Sequence, residues 1–393
     1  MSEEKLVPKL RFSGFDDEWN EVTLNDVATF SKGKGISKND ISDYGIECVR
    51  YGELYTKYNE MIYNIESKTN LDKKELKLSE KDDILIPCSG ETAIDLATAS
   101  CIQKDQVAIG GDITVIKTNQ YAPFITYYLN QKKTEIAKYA QGVSIVHLYP
   151  KDFKVMNIRI PSINEQKKII TLLEGITKKE QLLESKYQEY REFKKYLMQQ
   201  IFAQKLRFDF KDEWKQYKLK DLLSVKSSSI SINQLEDNTG TYPLYGASGF
   251  LKNIDFCEME TDYISIVKDG SGVGNLSYHE KNSSIVNTSQ YLLPKKNFDI
   301  HFLYYLLQTL NLLKYVNGSS IPHIYFKDYC IEKVNVPSLP EQQQIGKLLV
   351  DADKTLENIN NCINITQEFK KGLLQQMFVV QLILSLLQNK KHI

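Results

Sequence analysis

Long apolar runs are missing from this 393-residue chain. No stretch reaches the roughly 20 apolar residues needed to cross a bilayer. Met1 to Arg11 is charged and lacks the apolar core of a secretory leader. Cysteine is sparse: Cys48, Cys88, Cys101, Cys257, Cys330 and Cys362 are scattered, without Cys-x-x-Cys spacing. Neither zinc ligation nor a disulfide framework is indicated, so the chain reads as cytosolic. An excess of one charge is missing too, with 50 basic against 50 acidic residues. That balance argues against gripping nucleic acid by bulk electrostatics. It leaves room for local patches, or for phosphate contacts supplied by partner subunits.

Catalytic signatures are absent as well. There is no Walker A sequence, no strand-bounded GxGxxG, no HExxH and no GxSxG, nor the Asn/Asp-Pro-Pro-Tyr of an amino-methyltransferase. Gly270, Gly272 and Gly274 have the wrong spacing for a dinucleotide loop and read as a turn. His147 and His323 are the only histidines at equivalent positions, without acidic or thiol neighbours at ligand spacing. Each either hydrogen-bonds locally or faces DNA. The chain reads as non-catalytic, with no metal site and no cofactor of its own.

What is present is a duplication. Residues 160–202 recur at 336–378 without an insertion, and 16 of 43 aligned positions are identical. Pro161-Ser162 and Glu165-Gln166 return as Pro337-Ser338 and Glu341-Gln342, and Phe193-Lys194-Lys195 as Phe369-Lys370-Lys371. Each copy reads as one long helix opened by a capping box, Ser162 with Glu165 and Ser338 with Glu341. Apolar residues keep a 4-3 spacing: Ile169, Leu173, Ile176, Leu183, Tyr187, Tyr190, Leu197 and Ile201 in the first. The second offers Ile345, Leu349, Ala352, Leu356, Ile359, Ile363, Leu373 and Met377. This is a coiled-coil seam, broken in both copies at one place, by Lys194 and Lys370. Some forty residues make a rod of roughly 60 Å, whose nearest partner is the other copy.

Before each helix lies a unit of similar plan. The first has Lys9-Leu10-Arg11-Phe12 and Asp17-Glu18-Trp19, then strand-like runs at Glu21–Phe30, Ile46–Arg50, Asp83–Ile86 and Ile113–Lys117, and a helix over Tyr121–Tyr139. The second restarts with Lys205-Leu206-Arg207-Phe208 and Asp212-Glu213-Trp214, and its helix spans Ile300–Tyr315. Gly142, Ser144, Ile145, His147, Tyr149, Lys151 and Asp152 return 176 positions on, while the interiors diverge. The expected fold is α+β: two mixed α/β domains separated by two long helices that pair with each other as a coiled coil, with a pseudo-twofold repeat. The boundaries are 1–160, 161–204, 205–336 and 337–393. The phase of the repeat places residues 1–20 near the end of the last helix. Symmetry stops at Phe378, and the tail 379–393 is either an extra apolar turn near the N-terminus or a variant end.

Loops rich in Ser, Lys, Gly and Asn with interleaved Tyr suit phosphate and base-edge contacts. The residues expected to touch DNA are Lys32, Lys34, Ser37, Lys38, Arg50, Tyr51, Ser89, Thr92, Ser144 and His147 in the first unit. In the second they are Lys226, Ser228, Tyr245, Ser248, Lys268, Ser271, Asn275, Ser320 and His323. The loop Lys268–Asn275 takes the place of Cys88–Thr92. Shared rods with divergent interiors fit docking on identical partners while each interior reads a different target. Glu165, Gln166, Lys194 and Gln199, with Glu341, Gln342, Lys370 and Gln375, are expected to meet those partners.

The duplicated Pro-Ser-x-x-Glu-Gln starts, Phe-Lys-Lys-x-Leu-x-Gln-Gln ends and Gly-x-Ser-Ile-x-His-x-Tyr-x-Lys-Asp motifs carry a resemblance. Over nearly its whole length the chain resembles the DNA-specificity subunit of a type I restriction–modification system. The resemblance implies that each of the two domains is a target recognition domain reading one half of a split sequence in double-stranded DNA, and that the two helices form an antiparallel coiled coil that acts as a ruler. It implies two modification subunits carrying S-adenosylmethionine on the helical core, and restriction subunits that use ATP and magnesium. Adenine methylation, after base flipping, would take place in the partner. Two other readings stay open: a coiled-coil scaffold without DNA specificity, and a self-contained restriction–modification enzyme, which would need motifs this chain lacks.

Overall fold

The computed structural model describes residues 4–142, 146–235 and 238–384. They form two compact units, one of the described residues up to 181 together with those from 364 to 384, and one of the described residues from 182 to 363. Each unit is a mixed α/β domain packed on half of each long helix.

The first unit is centred on the strand Ile84–Pro87, buried at every position. Such a run of branched apolar residues belongs inside a sheet covered on both faces. It lies third in a five-stranded sheet ordered Ala28–Lys32, Ile113–Thr118, Ile84–Pro87, Ser100–Ile102, Met61–Ile62. The helix Ala122–Gln131, with Pro123 in its first turn, packs Phe124, Tyr127 and Tyr128 into the core. A smaller four-stranded sheet (Ala108–Ile109, Ile46–Val49, Ser67–Thr69, Ile41–Ser42) sits beside it. The single strand expected over Glu21–Phe30 is corrected to a strand, Asn20–Thr23, a one-turn helix, Leu24–Val27, and a second strand. Asp26 causes the break by accepting from the N–H and hydroxyl of Thr23, at 2.8 and 2.7 Å.

The second unit repeats this frame. Its four-stranded sheet runs Leu223–Ser227, Ser289–Pro294, Tyr263–Val267, Leu276–His279, with the one-turn helix Leu219–Leu222 before it and the helix Ile300–Gln308 after it. Its smaller sheet has three strands, Gly249–Ile254, Tyr242–Gly246 and Ser284–Ile285. In both units the strand leading into the long helix pairs antiparallel with the first strand of the unit: Asn157–Ile160 with Asn20–Thr23, and Lys333–Val336 with Lys215–Lys218.

The long helices are Ile163–Phe202 and Leu339–Phe378, 40 residues each. In the first unit the start of one and the end of the other share a core: Ile169, Leu173 and Ile176 with Leu373, Met377 and Phe378. In the second unit the ends are exchanged, with Leu197 and Ile201 beside Ile345 and Leu349. The pairing is therefore antiparallel. The seam is buried at both ends, where it also rests on a domain core. It is shallower at Leu183, Tyr187, Ala352 and Leu356, and Tyr190 is 37% exposed.

The lysines that interrupt the seam are explained by charge. Lys194 pairs with Asp353 and lies over the Tyr305 ring at 5.1 Å; Lys370 reaches Glu180 at 3.8 Å. Each lysine thus ties one helix to the other. In the first unit Glu4–Pro8 pairs antiparallel with Val380–Leu384, and the Leu10 N–H donates to the Gln376 carbonyl at 3.0 Å. Residues 4–10 thus do lie at the end of the last helix. The start of the tail is a strand and not a helical turn; residues 385–393 lie outside the described residues.

Candidate nucleic-acid interface

The capping glutamates behave differently from expectation. Ser162 does accept from the Glu165 N–H, at 3.4 Å, but the Glu165 carboxylate does not turn back to the helix start. It receives a bidentate grip from Arg11 of the Lys-Leu-Arg-Phe segment, at 2.7 and 2.8 Å. Arg207 grips Glu341 in the same way, at 3.0 and 2.8 Å, and the Trp214 ring N–H adds a third bond at 3.2 Å. A planar guanidinium matched to a carboxylate is the stronger partner, and it wins. Gln166 accepts from the Tyr121 N–H and donates to the Pro161 carbonyl; Gln342 does the same with Asp299 and Pro337.

All four side chains are at most 1% exposed. Glu165, Gln166, Glu341 and Gln342 therefore clamp each domain to its helix and are not a docking surface, a correction to the sequence reading. Lys194 and Lys370 are likewise used between the helices. Gln199 and Gln375 remain exposed. So do Phe193, at 55%, and its equivalent Phe369, at 57%.

The paired histidines occupy one geometry in both units. The strand Ile84–Pro87 runs into Ser89-Gly90, which pairs with Val146-His147, and the Leu148 N–H donates to the Cys88 carbonyl. In the second unit Tyr263–Val267 runs into Lys268-Asp269; Asp269 bridges His323, and the Ile324 N–H donates to the Lys268 carbonyl. The two loops thus correspond, as their order in the sequence suggested. Ser89 Oγ lies 3.1 Å from His147 Nδ1, and His323 Nδ1 lies 3.4 Å from the Ile321 carbonyl.

Beyond each histidine the side chains form a row. His147 stacks on Tyr149 at 5.9 Å, with Lys151 over the same ring at 5.7 Å. His323 faces Tyr325 at 5.0 Å, with Lys327 at 5.4 Å. Tyr149 and Tyr325 are 41% and 39% exposed. A half-open aromatic ring beside a cation is a surface on which a base or a phosphate can rest. The sequence motif held these residues, but only the fold stacks them.

In the first unit Ser37, Arg50 and Tyr51 come together around a groove of about 400 Å³, with Asp40, Gly111 and Asp112. Lys32, at the end of its strand, lies 3.6 Å from Asp112. Lys34 is fixed through its backbone to the Ile109 carbonyl, and Lys38 begins a one-turn 3₁₀ helix after Ser37. Thr92 sits apart, its hydroxyl accepting from the Asp95 N–H and donating to the Asp95 carboxylate. Ser144 lies outside the described residues. Sequence reasoning missed Glu53, which is 3% exposed and binds Arg50 through backbone and side chain, at 2.9 and 3.3 Å. Burial pushes its carboxyl up, yet the hydrogen bonds from Ser67 and Arg50 hold it below the usual carboxylate range.

The second unit distributes its expected residues otherwise. Ser228 is buried and its Oγ accepts from the Ile230 N–H, so it shapes a turn and does not face a ligand, a further correction. Lys226 donates to the Glu258 carbonyl at 3.0 Å and lies over the Tyr291 ring. Tyr245 packs on His279 at 4.4 Å, and Ser248 is exposed in the turn that follows. Lys268 lies 3.7 Å from Asp269. Gly270, Gly272 and Gly274 all have φ between +83° and +87°, so the loop is a left-handed turn that presents Ser271 and Asn275 outward. Ser320 is exposed, three positions before His323.

Burial pushes the Cys48 thiol up to about 11 and the Cys101 thiol to about 12, which makes them poor nucleophiles. No group of His, Cys, Asp or Glu among the described residues is arranged to hold a metal. No helix among them is long and apolar enough to cross a membrane.

The family described as "Type I restriction modification DNA specificity domain" matches residues 16–190 and 211–367. The specificity subunit of the type I restriction enzyme MjaVIII from Methanocaldococcus jannaschii is 29% identical over 182 residues, 42% of this chain and 42% of that protein. The putative MjaX specificity subunit of the same organism is 26% identical over 198 residues, 42% of this chain and 46% of its own length. The chain thus matches less than half the length of these relatives. In fold it is similar to the type I restriction–modification system S subunit from M. genitalium: TM-score 0.67, 20% identity, covering 95% of this chain and 99% of that one.

Proposed function

The chain belongs to the type I restriction–modification DNA specificity family, and from that premise we propose that it reads a split DNA sequence, one half through each recognition domain. It acts without catalysis of its own, in the cytoplasm, and directs partner subunits to that sequence. Two modification subunits, which carry S-adenosylmethionine, dock on the helices, and restriction subunits that use ATP and magnesium join them. The observation that carries the reading is a frame built twice around different interiors. The sheet order, the arginine–glutamate clamp and the histidine–tyrosine–lysine row recur, while the smaller sheets and the loops beside them do not. Repetition of the frame suits a repeated partner; divergence of the interiors suits two unlike half-sites.

The docking surface is narrowed by burial. With the Glu-Gln pairs internal, Phe193 and Gln199, with Phe369 and Gln375, are among the exposed residues that the two helices offer identically to a partner, beside Lys178, Glu192 and Lys195 with Lys354, Glu368 and Lys371. The test is a map of methylated adenines in a genome whose cells make the modification subunit, with and without this chain. A split motif with a fixed gap should appear only with the chain. Unchanged methylation from a folded, partner-bound chain would move the scaffold reading to the front.

A further inference from the structure

The groove around Arg50 in the first unit says more than that a cation is near DNA. Its guanidinium is held in place. The Arg50 N–H donates to Glu53 Oε2 and its Nη2 to Oε1, while Ser67 Oγ donates to the same carboxylate at 2.5 Å and Lys57 approaches at 3.5 Å. A buried carboxylate engaged on so many sides cannot swing, and neither can the arginine it fixes. Arg50 Nε is sealed from solvent and cannot itself reach a ligand, so a partner in the groove would meet the terminal guanidinium nitrogens, the exposed end of this part-exposed side chain.

The walls are as rigid as the arginine. A Cβ on Gly110 would lie 3.1 Å from the Val49 carbonyl oxygen, and one on Gly111 would lie 3.0 Å from the Gly35 backbone. The loop therefore rests on bare backbone, with no side chain to repack. The charge of the groove is mixed, because Asp40 and Asp112 line it together with Arg50. Carboxylates repel a phosphate. A base-pair edge is different: guanine offers the O6 and N7 acceptors and its paired cytosine offers an amino donor in the same groove of the duplex.

Resting on the specificity reading above, we propose that Arg50 donates to O6 and N7 of one guanine in the half-site read by the first unit, and that Glu53 is its positioning residue. The test is the methylated motif itself, mapped in cells that make the modification subunits with wild-type chain, Arg50→Ala, Arg50→Lys or Glu53→Gln. Each variant is first recovered in complex with those subunits. Arg50→Ala should open one guanine position of one half-site to all four bases and leave the other half-site unchanged. That intact half reports a folded complex. Glu53→Gln should relax the same position to a lesser degree, which a merely structural loss would not do.

An unchanged motif in Arg50→Ala, with weaker binding and a log–log salt slope reduced by about one, would assign Arg50 to a phosphate and overturn the proposal. So would Arg50→Lys retaining the full stringency of the wild type, or relaxation at a base other than guanine. An unchanged motif in Glu53→Gln would remove its positioning role. A wild-type complex that methylates no split motif would instead sink the specificity reading on which this assignment rests.

Discussion

The first and second units share the order of four strands in the main sheet, to which the first adds Met61–Ile62 at one edge, and differ in what they place beside it. The first adds a four-stranded sheet and a charged network around the buried Glu53 carboxylate, with Arg50, Lys57 and Ser67. The second adds a three-stranded sheet and a buried aromatic stack, with Tyr245 and Tyr263 against His279 at 4.4 and 4.9 Å, and Tyr291 against Tyr263 at 4.8 Å. The frame answers to the helices, which are the same in both units; the additions answer to nothing shared. An ion network on a buried carboxylate and an aromatic stack each rigidify an insert, by directional bonds in one case and by packed area in the other.

That contrast can be broken at several points, and the largest effect falls on the clamps. Arg11→Ala leaves Glu165 buried and unpaired, and should destabilise the first unit by about 3 kcal/mol. Arg207→Ala should cost the second unit less, because the Trp214 N–H still reaches Glu341. Trp19 Nε1, its counterpart, has no partner. Hydrogen exchange read unit by unit measures both; equal losses, or less than about 1 kcal/mol for Arg11→Ala, would refute the asymmetry.

A pH scan should separate the units next. His279 is buried, and burial lowers its pKa from 6.5 to about 4. Its neutral form suits the fold, so the stability it contributes is present above about pH 6.5 and lost as pH falls toward 4. The full loss is roughly 3 kcal/mol at 1.36 kcal/mol per pH unit. Among the described residues the first unit holds His147 alone, half-buried. Exchange protection in the second unit should therefore fall faster between pH 6.5 and 4, and His279→Gln should abolish that difference. A pH slope that survives the substitution would point to another group.

The smallest effect concerns the seam. Lys194→Ala removes an ion pair and a ring contact, whereas Lys370→Ala removes only a pair at 3.8 Å. Both should stay near or below about 1 kcal/mol, with Lys194 the larger by denaturant midpoint. The reverse order would mean that the ring contact contributes nothing.

Much of this was legible before any coordinates. The duplication, the seam, the pairing of the two helices and the correspondence of Cys88–Thr92 with Lys268–Asn275 all rest on periodicity and order along the chain, whereas the antiparallel direction came from the family resemblance. The seam lysines were visible as interruptions, though not their partners Asp353 and Glu180. Glu165 and Glu341 were visible as conspicuous repeats but misread. A capping box is a local rule, and the arginine that outcompetes it lies 154 positions away in the first unit and 134 in the second. Ser228 was misread for the same reason in reverse: a loop serine looks like a ligand until burial shows it closing a turn.

The sequence by itself determined the plan: two domains, two rods and the frame that joins them, because hydrophobic period and repeat spacing are properties of the chain. Tertiary structure alone decided which repeated polar residues turn inward and which remain available. It also decided that Arg50, Ser37 and Tyr51 share one groove over a carboxylate none of them announces. Those outcomes depend on distances between segments far apart in sequence, where a charge takes the best partner that packing brings within reach.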